Sequence, residues 1–248
     1  MAPRAHASKY NYAETYQTYG TSFSAPVVSG SAALIRQYFE EGWYPCGSKG
    51  CSKQSINPSG SLVKAILMNG AVQTVKYVQK VPDGNILEKV HEYDNNAGMG
   101  LINMVNSLPI KGVNEMNAFI INNLPINDGR SDYVLVKTKT CGGSIDSIRA
   151  TLSWYDPAGS VNCVQCLIND LDLVVEKISE TNSVEKKFYP NGLKSKDRKN
   201  NVERVRVVKS VSETFKITVK ASNLATQNQK YSLVVTGCFD KLAEKRGI

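Results

Sequence analysis

From about residue 117 onward the chain repeats with a period of two. In FKITVKA, Phe215, Ile217, Val219 and Ala221 alternate with Lys216, Thr218 and Lys220. Only an extended strand with one buried and one wet face puts residues two apart on the same side. IRATLSW repeats the pattern through Ile148, Ala150, Leu152 and Trp154, and RVRVV through Val205 and Val207. YVLVKT, LDLVVE and YSLVVTG read as further strands, separated by loops rich in Gly, Asn, Asp and Lys. Many short strands with no helical stretch between them predict an antiparallel all-β sandwich, with Trp154 in its core rather than serving as a ligand platform.

The first part of the chain reads differently. From Ala25 to Tyr38 the apolar residues Ala25, Val28, Ala32 and Ile35 recur at helical spacing, and Leu34 widens the stripe. The small side chains of Gly30, Ser31, Ala32 and Ala33 admit close neighbours, so this helix is expected to be buried on most sides, with Pro26 in its first turn. A second helix is signalled by NPSGSLVKAILMNGA, capped by Ser59 or Ser61 and ended by Gly70. A third is expected from about Leu101 to Ser107, closed by Pro109. The change of period places a boundary near residue 109: residues 1–109 form one unit, 110–240 the sandwich and 241–248 a tail. A chain of 248 residues is long enough for two cores.

Lys and Arg outnumber Asp and Glu by 30 to 22, a formal charge of +8. Much of the excess lies at Lys186, Lys187, Lys194, Lys196, Arg198, Lys199, Arg204 and Arg206. Such a strip can bind polyanions, but no nucleic-acid motif accompanies it, and the simpler reading is a solvated loop and the outer face of a strand. No apolar run approaches the roughly 18 to 20 residues that a membrane span needs. Six cysteines fall as CGSKGC (Cys46, Cys51), CVQC (Cys163, Cys166) and the distant Cys141 and Cys238. The two histidines, His6 and His91, are not spaced to complete a zinc site, so three disulfides are preferred over free thiols, and with them an oxidising compartment.

Against this background the stretch YGTSFSAP asks for an explanation. Gly20 permits a tight turn and Ser22 sits at or near a helix N-terminus, where the helix dipole favours negative charge. A nucleophilic serine needs that presentation, although serine at a helix start is ordinarily an N-cap. The sequence GTSFSAP, Gly20 to Pro26, resembles residue by residue the G-T-S-x-[SA]-x-P signature around the nucleophile of subtilisin-like serine peptidases, the subtilases. The segments Leu62 to Ala71 and Gly98 to Ile102 resemble the family's following helix and its closing G-x-G-x-(I/V). The second half, through ATLSWYDPAGS, LINDLDLVV, NNVERV and YSLVVTG, is similar to the jelly-roll-like sandwich that follows the catalytic domain in one branch of subtilases.

The resemblance implies the C-terminal half of an α/β catalytic domain followed by the sandwich. It implies hydrolysis of peptide bonds through an acyl-enzyme on Ser22, whose backbone N–H supplies one oxyanion donor beside Gly20 and Thr21. Substrates would be polypeptides, and the compartment secretory or lysosomal. Subtilases place their acid, base and oxyanion asparagine before the serine, and only 21 residues precede Ser22 here. His6, in RAHASKY, lacks the family's His-Gly-Thr context, and His91 lies in a charged stretch. The chain is therefore expected to be a fragment, inactive alone, whose partner is the missing N-terminal part of the catalytic domain. The alternative is a catalytically dead module binding calcium, glycan or protein through its sandwich. Asp156, Asp170, Asp172 and Asn200 are the calcium candidates, being hard oxygen donors near strand ends, against the plainer role of capping turns.

Overall fold

The computed structural model describes residues 19–53, 55–73, 93, 97–141, 147–208 and 212–245, and gives the backbone of 2–4, 14–16, 77–81 and 84–88. The elements run β1 (Ala2–Arg4), β2 (Glu14–Tyr16), α1 (Thr21–Glu40), α2 (Gly60–Gly70), β3 (Tyr77–Val81) and β4 (Gly84–Glu88). Nine strands follow: β5 (Asn117–Ile126), β6 (Ser131–Thr138), β7 (Ser147–Trp154), β8 (Asn169–Ile178), β9 (Val184–Phe188), β10 (Val202–Val208), β11 (Thr214–Leu224), β12 (Gln229–Gly237) and β13 (Phe239–Lys245).

These nine strands form two antiparallel sheets, ordered β10-β7-β12-β5 and β13-β6-β11-β8-β9. The alternation in the sequence is the alternation in the fold. Phe215, Ile217, Val219 and Ala221 of β11 meet Ile148, Ala150, Leu152 and Trp154 of β7 in one core shared by both sheets. Trp154 is fully buried and its indole N–H donates to the Asn169 carbonyl at 3.0 Å. β13 carries the pairing past residue 240, joining β6 from Phe239 to Lys245.

The outer face of the four-stranded sheet is covered as well, by α2. This explains why β12 is buried on both sides: Tyr231, Leu233 and Val235 face the shared core, while Val234 packs with Leu62 and Ile66 of α2. A polar seam runs beside that contact. Ser61 shares a hydrogen bond with Ser232 at 2.9 Å, and Asn69 donates to Thr236 at 2.7 Å and accepts from Thr151 at 3.0 Å. Gly70 is required there, since a Cβ would lie 2.1 Å from the Ser107 hydroxyl oxygen.

Ser59 caps α2 as expected, accepting from the Leu62 amide at 3.2 Å. The expected third helix is reduced to a 3-10 turn at Met104–Asn106. A stretch of seven residues is too short to repay helix nucleation. Leu101 is drawn instead into a bridge with Val72, and Asn103 caps the remaining turn through the Asn106 amide. In residues 1–109 the described strands form two antiparallel two-stranded ribbons, β1-β2 and β3-β4, and no parallel sheet occurs among the described residues. All six cysteines are paired, as Cys46–Cys51, Cys141–Cys238 and Cys163–Cys166. No helix among the described residues is long and apolar enough to cross a membrane.

Candidate active site

Ser22 lies in the first turn of α1, one residue inside its start. Gly20 precedes the helix at φ 138° and ψ 155°, a conformation open essentially to glycine alone, and its carbonyl accepts from the Phe23 amide at 3.1 Å. The N-cap is Gly20, with no side-chain cap hydrogen bond, and Ser22 stands two positions inside it rather than at the N-cap itself. Gly20, Thr21 and Ser22 are all exposed. The Ser22 amide is one of the first-turn donors that an α-helix leaves without an i−4 acceptor, the kind of donor an oxyanion needs.

Two expectations about α1 are corrected here. Pro26 stands not in the first turn but in the second, because the helix starts at Thr21. Its ring nitrogen cannot donate to the Ser22 carbonyl, although the helix runs on without a break to Glu40. Nor is the helix buried on most sides. Every residue from Thr21 to Gly30 is exposed, Val27 at 60%, and beyond them Leu34 is still 56% accessible. Burial begins with Ser31 and is supplied by Ile35, Tyr38 and Phe39, which pack with Leu62, Ala65 and Ile66 of α2. No described element covers the preceding ten residues, and this is why their apolar side chains meet water.

Beside the serine-bearing helix a groove of about 250 Å³ opens between Val28, Lys64, Leu67 and Met68, closed by Met99, Gly100 and Ile102. Its floor is held from the two-sheet unit. Arg204 of β10, only 4% exposed, donates through Nη1 to the carbonyls of Met68 and Met99, both at 3.0 Å, and of Ala71 at 3.4 Å. Met68 and Ala71 lie at the C-terminal end of α2, where carbonyls lack intrahelical donors and a cation is favoured. Arg204 is thus withdrawn from the basic strip to which sequence reading assigned it. Its signal was its register: the strand alternation that buries Val205 on one face gives Arg204 the other, and that face is occupied by α2.

The calcium candidates are placed as follows. Asp156 accepts from the amides of Ile168 and Asn169 at 2.7 and 2.8 Å, capping the turn that leads into β8. Asn200 donates to Asp197 at 2.6 Å. Asp170 and Asp172 are buried side by side on β8 and paired with cations, Asp172 with Lys196 at 2.5 Å and Asp170 with Arg198 at 3.6 Å. Among the described residues no group of three or more His, Cys, Asp or Glu is arranged to hold a metal ion. Asp156 and Asn200 are engaged in local turn hydrogen bonds, while Asp170 and Asp172 share a buried cluster with Glu203, the member that sequence reading missed. Glu203 of β10 is fully buried and accepts from the Leu173 amide at 2.5 Å. Its carboxyl is pushed well above the usual range, first by burial and then by the charges of Asp172, Asp197 and Asp170. One oxygen each of Asp170, Asp172 and Glu203 meets no protein partner. His6 and His91 lie outside the described residues.

A glycine-set turn thus leads into a helix that bears an exposed serine in its first turn, in a chain that continues into an antiparallel two-sheet unit. Residues 3–100 match the family model of the subtilases, so this segment carries the family's pattern and, at the level of that family, that of a serine peptidase. Among curated proteins the chain is similar to three from Dictyostelium discoideum. It is 29% identical to the serine protease/ABC transporter B family protein tagA over 87% of its length, 25% to tagB over 88%, and 26% to tagD over 88%. It covers only 12%, 13% and 14% of those proteins. Because these alignments take in most of the chain, they extend into the two-sheet unit.

Proposed function

We propose that the chain is the nucleophile-bearing part of a subtilisin-like serine endopeptidase together with its accessory two-sheet unit, in the α/β and jelly-roll-like arrangement of that family. The observation that carries this reading is the exposed, uncapped Ser22 at a Gly20-set helix start, inside the segment matched by the family model. In this reading Ser22 Oγ attacks the scissile carbonyl, the Ser22 N–H stabilises the oxyanion, and water hydrolyses the acyl-enzyme. The acid, the base and the second oxyanion donor come from the remainder of the catalytic domain. That remainder seats on the bare apolar flank of α1, at Phe23, Val27, Val28 and Leu34. Without it only the residual catalysis of a broken triad is available, roughly 10³ to 10⁴ over water at best. Three disulfides favour a secretory or lysosomal compartment.

The test is peptide hydrolysis by the full-length protein. A Ser22→Ala variant loses at least about 10³ in kcat; hydrolysis at the original rate means another residue is the nucleophile. The partnerless oxygens of Asp170 and Asp172 support a second reading, in which the two-sheet unit binds calcium. Calcium then raises the Tm of the wild-type chain and not that of the Asp170→Asn/Asp172→Asn variant; an unchanged Tm in both removes this reading.

A further inference from the structure

The end of the two-sheet unit beyond Trp154 is built in a way that neither catalysis nor packing requires. The loop from Pro157 to Ile168 contains no charged residue. Its valines are bare: Val161 is 92% and Val164 106% exposed. A loop that only connected two strands would have no reason to be fixed in that state, yet this one is held at several points. Cys163 and Cys166 close its tip, Asp156 pins its base through two amides, and the Cys163 amide donates to the Ser160 carbonyl at 3.2 Å. An ordered loop displaying two adjacent apolar tips to water marks a surface that meets something other than water.

The neighbouring loop indicates what that is. Gln165 donates to the Arg198 carbonyl at 2.9 Å, tying the valine loop to the segment from Asn191 to Asn200. That segment carries Lys194, Lys196, Arg198 and Lys199 against one acid, Asp197, which is buried and accepts from Lys199, Asn200 and Asn191. Lys194, Arg198 and Lys199 are exposed, and Leu193 beside them is 46% exposed. A groove of about 430 Å³ lies between Tyr93, Leu193, Lys196, Arg198 and Lys199. Apolar tips next to a cationic groove complement an anionic bilayer surface, whose phosphates and carboxylates face outward above an apolar interior.

We propose that this end of the molecule is a membrane-surface docking site, in which Val161 and Val164 enter the boundary between headgroups and acyl chains of an anionic leaflet. Lys194, Arg198 and Lys199 bind the headgroups, and the groove receives one of them. Attachment is peripheral and does not depend on Ser22.

The test is co-sedimentation of the oxidised chain with phosphatidylcholine vesicles, with and without about one-third phosphatidylserine. Binding is expected only to the anionic vesicles. The Val161→Ser/Val164→Ser variant should bind at least about tenfold more weakly. The Lys194→Gln/Arg198→Gln/Lys199→Gln variant should lose about fivefold per cation. A charge-matched control, Lys137→Gln/Lys139→Gln/Lys241→Gln, alters the opposite end of the strands and should keep most of the binding. The proposal is overturned if anionic vesicles do not sediment the protein, whether or not it binds soluble polyglutamate, if the control loses as much as the loop variant, or if the valine variant binds as wild type. Matched near-UV circular dichroism ensures that a loss is not unfolding.

Discussion

At Glu203 one carboxylate oxygen is held by the Leu173 amide and the other has no partner, in a site that already contains the charges of Asp172, Asp197 and Asp170. Burial and those charges raise its pKa above the ordinary 4.5, so the folded state keeps a proton that the unfolded chain releases. Stability is therefore greatest below the ordinary value and falls as pH rises toward the raised one. In calcium-free buffer the wild-type Tm should decline as pH is raised above the ordinary carboxylate range, and Glu203→Gln, which keeps the shape without the titrating proton, should decline less. Parallel curves for the two proteins would show that Glu203 does not titrate in this window. Position 203 was hard to recognise from sequence: it falls in phase with the buried Val205 and Val207, but nothing local announces the Leu173 amide and the acids of β8 that meet a glutamate there. Ser22 was legible for the opposite reason: its turn, its helix and its signature lie within seven consecutive residues.

Among the elements, α2 is the one whose role changes between sequence and structure. Its amphipathic pattern and its Ser59 cap were readable, since both are local. Its partner was not, because the contacts with Thr151, Ser232, Val234 and Thr236 bridge up to 173 positions along the chain. Arg204 is the strongest of these ties, binding three carbonyls around the end of α2. Arg204→Ala leaves those carbonyls without their cation and should cost about 2 to 4 kcal/mol in denaturant unfolding. Arg204→Lys should recover only part of that loss, because an ammonium is more strongly hydrated than a guanidinium and costs more to bury there. A cost under about 0.5 kcal/mol for Arg204→Ala would mean that α2 is held without it.

At the scale of the molecule, the strand alternation correctly announced two antiparallel sheets with one core. It did not announce that the outer face of one sheet is roofed by a helix from the first hundred residues, because alternation reports which side a residue faces and not what lies there. The consequence concerns folding units. Residues 55–245 should melt in one cooperative transition, whereas residues 110–245, with Val234 and its neighbours uncovered, should melt at least about 5 °C lower and bind a hydrophobic dye. Equal melting temperatures would show that the roof contributes nothing. The exposed flank of α1 makes the complementary statement at the other end: Phe23, Val27, Val28 and Leu34 are apolar and bare, as seating on the proposed larger assembly requires. Whether that assembly is a peptidase is decided most directly by treating cells that make the protein with a fluorophosphonate probe and locating the label by mass spectrometry. The account predicts probe on Ser22 in a species well above 27.2 kDa. The same chain found only at 27.2 kDa with Ser22 unlabelled would contradict it.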